Sequence, residues 1–301
     1  MKDKAKVKSK NGFFSKMDSG ILFPSDMKKL RYKLLYGALV LLMLIFLAVA
    51  LVPALWILLA GFKDVGELYS KNTQFFPQYI RLGKLVEAWN ALKFYKLYIN
   101  TFILAGGAVV VEIISAGLAG YVLSRLRPKG SGIVYTIVTI IMVWPATMST
   151  VPIYMLIKNM GLLNSYLPIW MMHLGNAFNI MLFKNSFDGI SKSLVDAAKI
   201  DGATDIGIFL KIIVPLSVPV IMTVAIFTFN GECGNFFWPY LLVQNDSLRT
   251  MGIHLYKIKS STLQLDYQML SIVFAILPQF VVFVFFNKYI MGGINIGGVK
   301  G

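Results

Sequence analysis

The residues of this chain that can do chemistry are few, and they sit in apolar surroundings. Glu232 lies in the string Asn230-Gly231-Glu232-Cys233-Gly234-Asn235, which interrupts a long apolar run and is followed by Trp238-Pro239. Glu112 stands among Val109, Val110 and Val111; His173 and Asn176, three residues apart, share a helix face with Ile180. An ionisable group inside an apolar run is kept there by a functional task or by a hydrogen bond to a neighbouring helix. Non-helical backbone at membrane depth is tolerated only when buried in protein or facing a water-filled cavity, so a break at residues 230–235 favours a lining role. Glu232, Asn230, Asn235, Trp238, His173 and Asn176 are therefore candidates for a polar path. Interhelical bonding is the competing role for Glu232, His173 and Asn176, a place near the membrane surface is a further one for Glu232, and Glu112 fits packing against a partner group better. Trp144 and Trp238, each beside a proline, suit an interfacial anchor more than a stacking surface.

Catalytic chemistry finds no support. No G-x-x-x-x-G-K-[ST] nucleotide loop exists, since the string from Gly297 to Gly301 lacks the spacing and the Ser/Thr. The only two histidines, His173 and His254, lie in different segments and have no metal spacing, and the single Cys233 excludes a disulfide framework. No catalytic residue, metal site or cofactor is expected.

The elements that must position these residues are membrane spans. Hydrophobic residues make up 57% of the 301 positions and charged ones only 14%. The apolar residues fall in uninterrupted runs of the length that crosses a bilayer. The net charge of +15 is concentrated before the first run, in Lys2, Lys4, Lys6, Lys8, Lys10, Lys16, Lys28, Lys29, Arg31 and Lys33. That placement marks a cytoplasmic N-terminus; without interleaved aromatic residues it does not mark a nucleic-acid partner. The run after Lys33 is too long and starts too late for a cleavable signal peptide.

Runs at residues 34–62, 100–124, 133–157, 166–183, 212–243 and 267–287 give an expected all-α integral membrane fold of six transmembrane helices with both termini cytoplasmic. Pro53 predicts a kink in the first run, and Trp144-Pro145 and Pro152 interrupt the third. Residues 63–100 and 244–266 read as outside loops. The expected domains are a basic N-terminal arm (1–33), a transmembrane domain (34–291) and a C-terminal tail (292–301).

Residues 193–219 are the one long stretch of the second half with evenly spaced charge. Ser193 and Asp196 fit a capping box, and Ala197, Ala198, Lys199 and Ile200 continue a short helix. Gly202 ends it, because glycine takes left-handed angles without steric cost. Thr204 caps a second helix with Ile206, Phe209, Leu210 and Ile213 on one face before Pro215. On periodicity alone, an ordinary amphipathic loop and a docking surface fit this stretch equally.

Asp196-Ala197-Ala198 with Gly202, followed by Ile212, Val214, Pro215 and Leu216, resembles the Glu-Ala-Ala…Gly loop of ABC-importer permeases. The string Ala197-Ala198-Lys199-Ile200-Asp201-Gly202-Ala203-Thr204 is similar to the carbohydrate (maltose-type) branch. So are Asn100-Thr101, Ala119-Gly120-Tyr121 leading to Arg125-Leu126-Arg127, Gly161-Leu162-Leu163-Asn164 and Phe236-Phe237-Trp238-Pro239. The tail Gly297-Gly298-Val299-Lys300-Gly301 resembles that of the second of the two paired permeases. Asp196 stands where the family usually has Glu, and Cys233-Gly234-Asn235 where it usually has Trp-Asn-Asp.

The resemblance implies a cytoplasmic coupling helix that docks on an ABC ATPase dimer through Asp196, Ala197, Ala198, Asp201, Gly202 and Pro215. It implies a tail (Gly298, Lys300, Gly301) reaching between the ATPase subunits. A second homologous permease, an extracellular solute-binding protein and a sugar substrate complete the expected partners, in a bacterial cytoplasmic membrane and with no nucleic acid. ATP hydrolysis falls to another chain. A self-contained secondary transporter or channel would show inverted repeats, and none is evident. A membrane enzyme acting on lipids would cluster its acidic, His or Cys groups at one face, whereas the candidates here are scattered. An importer of a non-sugar solute stays open.

Overall fold

The computed structural model describes residues 30–70, 74–258 and 260–294. Residues 1–29 of the basic arm and the tail residues Gly298, Lys300 and Gly301 lie outside the described residues, while residues 30–33 of the expected arm already belong to the first helix. Among those described, all regular structure is helical.

Helix α1, Leu30–Ala60, is apolar on every side, with Met43 and Val49 among its many exposed side chains. A helix hydrophobic all round belongs in lipid or a large core. Pro53 lies inside it without ending it. The chain divides into two compact units after Ile57, and all the later helices belong to the second unit.

Short α2 (Val65–Leu68) and α3 (Gly83–Ala91) precede α4, Phe94–Tyr121. The expected outside loop at 63–100 is thus largely helical, and Asn100 sits inside α4 rather than opening it. Its amide donates to the carbonyls of Ser247 (2.8 Å) and Arg249 (2.9 Å), so a polar residue is satisfied within the apolar helix. Lys84 is buried too, paired with Asp266 at 2.9 Å and donating to the Lys63 carbonyl.

Next come α5 (Ser131–Val143) and α6 (Thr150–Asn159), with a bend of 91° between Ser131–Val143 and Thr147–Asn159. The break falls at Trp144-Pro145 as expected: a residue before proline is driven to extended angles, and Trp144 has ψ 126°. The fourth run is not one continuous helix. It forms α7 (Leu167–Met172), a 3-10 turn (His173–Gly175) and α8 (Ala177–Asp188). Asn176 leaves the helical region and caps α8, its side chain accepting from the Asn179 N–H at 3.3 Å.

After α9 (Lys192–Ile200), α10 (Asp205–Ile208) and α11 (Val214–Leu216), α12 runs Val218–Gly234. The expected interruption at residues 230–235 is corrected. α12 continues through Asn230, Gly231, Glu232 and Cys233 and leaves the helix only at Asn235, because packing against α4 and against the last helix outweighs the low propensity of these residues. Helices α13 (Phe237–Leu242) and α14 (Met251–Ile258) precede α15, Leu265–Ile294. The expected polar loop at 244–266 therefore contains a helix, and it buries Met251, Ile253 and His254.

Among the described residues three helices, Leu30–Ala60, Phe94–Leu126 and Leu265–Asn287, are long and apolar enough to cross a membrane; the two bent pairs, the second being Asp205–Leu216 with Val218–Gly234, raise the number to as many as five. Helix α4 is central, packed against α8 and α12, with α15 on α12. Small residues set the spacing. A Cβ on Gly120 would lie 2.7 Å from the Phe183 Cβ, and one on Gly107 would lie 2.2 Å from the Trp170 ring, whose N–H bonds the Leu104 carbonyl.

Candidate functional site

Two polar arrangements stand out in the second unit, one exposed and one buried. The exposed one is the helix pair α9 and α10. Its N-cap is Ser191, whose hydroxyl accepts from the Ser193 N–H at 3.3 Å, so the expected capping box at Ser193 and Asp196 is corrected. Ser193 lies inside the first turn because Ser191, two residues earlier, already holds the extended cap conformation. Gly202, at φ +79°, makes the turn, and Thr204 caps α10 by accepting from the Gly207 N–H at 3.1 Å, both as expected.

The buried face of the second helix also differs from expectation. Ile208 and Ile213 are fully buried, whereas Ile206 and Leu210 are exposed. The reason is a π-helical segment at Phe209–Ile213, whose wider turn shifts the register of a 3.6-residue period.

Val195, Ile208 and Ile213 join Tyr121, Phe183, Phe187 and Val224 in one apolar core. The helix pair is thereby fastened to α4, α8 and α12, while Asp196, Ala197, Asp201, Gly202 and Pro215 remain exposed and Ala198 is half-buried. Ile200, at 87% exposure, stands out fully beside them.

Side chains after α4 reinforce the attachment. Arg125 donates to the carbonyls of Phe187, in the last turn of α8, and of Ile190, just beyond it. Asp188 meets Ser124 (2.7 Å), Lys184 (2.7 Å) and Arg127 (3.2 Å). Burial pushes its carboxyl up, but these partners together hold it below the usual carboxylate range.

The buried arrangement gathers residues that the sequence offered singly. Nδ1 of His173 lies 2.5 Å from Glu112 Oε2, and Nε2 lies 3.2 Å from Glu232 Oε1. Asn179 donates to the other oxygen of Glu112 at 2.9 Å; Asn235 reaches both oxygens of Glu232 at 3.2 and 3.1 Å. Of the path candidates, His173 and Glu232 bond to each other between helices, Asn235 bonds Glu232 three residues before it, and Asn176 caps its own helix beside the cluster. Glu112 packs against partner groups, as expected. Trp238 packs in a separate apolar core with Leu104 and Tyr166, and Asn230 lies in α12 with its side-chain amide oxygen buried and unpaired. Among the described residues, no group of His, Cys, Asp or Glu is arranged to hold a metal ion.

Asn164, part of the Gly-Leu-Leu-Asn string, proves to be a left-handed junction. Its side chain accepts from the N–H groups of Gln244 (2.7 Å) and Asn245 (3.0 Å). Sequence reasoning missed Asn179 and the Lys84–Asp266 pair, because neither spacing nor periodicity relates residues on separate runs.

Residues 112–295 match the family model described as "Binding-protein-dependent transport system inner membrane component". The chain belongs to that family. Both arrangements lie within the matched part of this inner membrane transport component. Similar curated proteins include the arabinooligosaccharides transport system permease protein AraQ of Bacillus subtilis, 29% identical over 83% of this chain and 91% of its own. The polygalacturonan/rhamnogalacturonan transport system permease protein YtcP of the same species is 31% identical over 89% and 97%. The diacetylchitobiose uptake system permease protein NgcG of Streptomyces coelicolor is 27% identical over 85% and 86%. Among solved structures, a bacterial ABC transporter involved in importing the acidic polysaccharide alginate contains a chain of similar fold. The TM-score is 0.78 and the identity 23%, over 90% of this chain and all of that one.

Proposed function

We propose that this chain is a permease subunit of an ATP-driven importer for a sugar or oligosaccharide, and the second permease of its pair. The observation that carries the reading is the α9–α10 pair. It exposes Asp196, Ala197, Asp201 and Gly202 while Val195, Ile208 and Ile213 root it in the core of α4, α8 and α12. A surface built this way transmits a push from a docked partner to the membrane helices as one body. The saccharide cargoes in the relatives' names support the substrate class.

In this reading six spans place both termini in the cytoplasm. A separate ABC ATPase dimer hydrolyses ATP and docks on Asp196, Ala197, Ala198, Asp201, Gly202 and Pro215, with the tail residues Gly298, Lys300 and Gly301 reaching between its subunits. A solute-binding protein delivers the cargo outside, as in the solved alginate importer held with its alginate-bound periplasmic protein. A second homologous permease completes the path. ATP acts by binding the two conformations with different affinity.

The test is affinity purification from native membranes in mild detergent, beside two variants. Gly202→Glu sets a charge at the turn; Ala197→Glu sets one on α9 without touching the turn. The unaltered chain should bring down an ATPase and a second permease. Both variants should insert in the membrane and lose the ATPase. A chain that purifies alone, or variants that keep the ATPase, would refute the reading.

A further inference from the structure

The Glu112–His173–Glu232 cluster sits where the fourth run stops being helical. His173 opens the 3-10 turn between α7 and α8; its two carboxylate neighbours come from α4 and α12. A carboxylate oxygen without a proton can only accept a hydrogen bond, and a neutral imidazole has only one N–H. Both contacts therefore exist together only when the cluster holds one proton beyond a neutral ring and two carboxylates. Taking that proton away sets a nitrogen lone pair against an oxygen and opens one contact.

The two sides of the ring are unequal. Glu112 is fully buried, at 2.5 Å, and its second oxygen is held by Asn179; Ser115 on the same helix donates to the His173 carbonyl at 3.2 Å. Glu232 is farther, at 3.2 Å, less buried, and supported by Asn235 beyond the end of α12. The titratable groups facing the ring are Glu112 from α4 and Glu232 from α12, with Cys233 next to Glu232. Neither α7 nor the first half of α8 adds one.

We propose that His173 is a proton-dependent latch between the broken fourth run and α12, with Glu112 as its fixed seat and Glu232 as the partner it releases. Loss of the shared proton frees α12 from the 3-10 turn while the turn stays on α4, and this biases the equilibrium between two arrangements of the helices. The latch is independent of the identity of the cargo and of the ATPase.

Cys233, the chain's single cysteine, is buried beside Glu232 and serves as the probe. The rate at which a maleimide labels it is read by mass spectrometry of this chain, in the complex as purified, from about pH 6 to about pH 9, across the range of an imidazole. Glu232→Gln should label about tenfold faster than the unaltered chain near pH 6, and the ratio should fall as the pH rises and the native latch opens. His173→Gln should label fast with the same falling ratio, and Glu232→Asp should restore slow labelling. A ratio of one throughout would overturn the latch. So would a raised ratio that does not change with pH, since losing the carboxylate's charge alone changes labelling by a constant factor.

Discussion

The hydroxyl of Tyr121, the last residue of α4, donates to the backbone carbonyl of Asp205 at 3.1 Å, and its ring lies 4.9 Å from that of Phe209. This joins the central membrane helix to the start of α10, the helix that follows α9 after the Gly202 turn. Tyr121→Phe keeps the ring and removes the bond, at a stability cost of about 1 kcal/mol. Solute-stimulated ATP hydrolysis by the reconstituted complex should drop several-fold while the basal rate holds, as measured by phosphate release. Unchanged stimulation would show that α4 communicates with the loop by other contacts.

The contact of Gly120 with Phe183 sets how closely α4 and α8 approach. Gly120→Leu forces backbone and rings apart and should cost about 1–3 kcal/mol, read as a lowered Tm in detergent. Gly117 has open space at the position of a Cβ, so Gly117→Ala on the same helix should leave Tm unlowered or slightly raised.

Lys84 and Asp266 are a buried pair at 2.9 Å. Removing one partner leaves an uncompensated buried charge, so Lys84→Met should destabilise the chain by about 3–5 kcal/mol. The double variant Lys84→Met/Asp266→Leu should recover most of the loss in thermal unfolding. Absence of any recovery would mean that Lys84 matters through its bond to the Lys63 carbonyl instead.

Burial, reinforced by the charge of Arg249, pushes the imidazole of His254 down to about 4. The unfolded chain takes up a proton there near the ordinary pKa of 6.5, which the folded chain does not. The contribution of His254 to stability is therefore constant above about pH 6.5 and falls as the pH drops towards 4. A series of Tm values over that window should show the decline, and His254→Gln should flatten it.

Much of this architecture is legible in the sequence, for reasons that particular residues make clear. The length of the α4 and α15 runs, the Trp144-Pro145 break, the Gly202 turn and the Thr204 cap are local, and each follows from chain length or one residue's conformational preference. The misreadings have equally physical causes. The π-turn at Phe209–Ile213 changed which side chains face inward, and tertiary packing carried α12 through Asn230 and Gly231. Glu112, His173 and Glu232 each stood out as ionisable residues among apolar ones. Their convergence on one imidazole depends on how three runs pack, which no spacing within a single run encodes.

Docking of an ATPase on the exposed face of α9 can be read outright with a photo-reactive amino acid at Ala197. Irradiated in native membranes, the chain should form an adduct with an ATP-binding polypeptide, in a yield that changes when ATP is added. Adducts only with lipid, with itself or with no protein would contradict that docking.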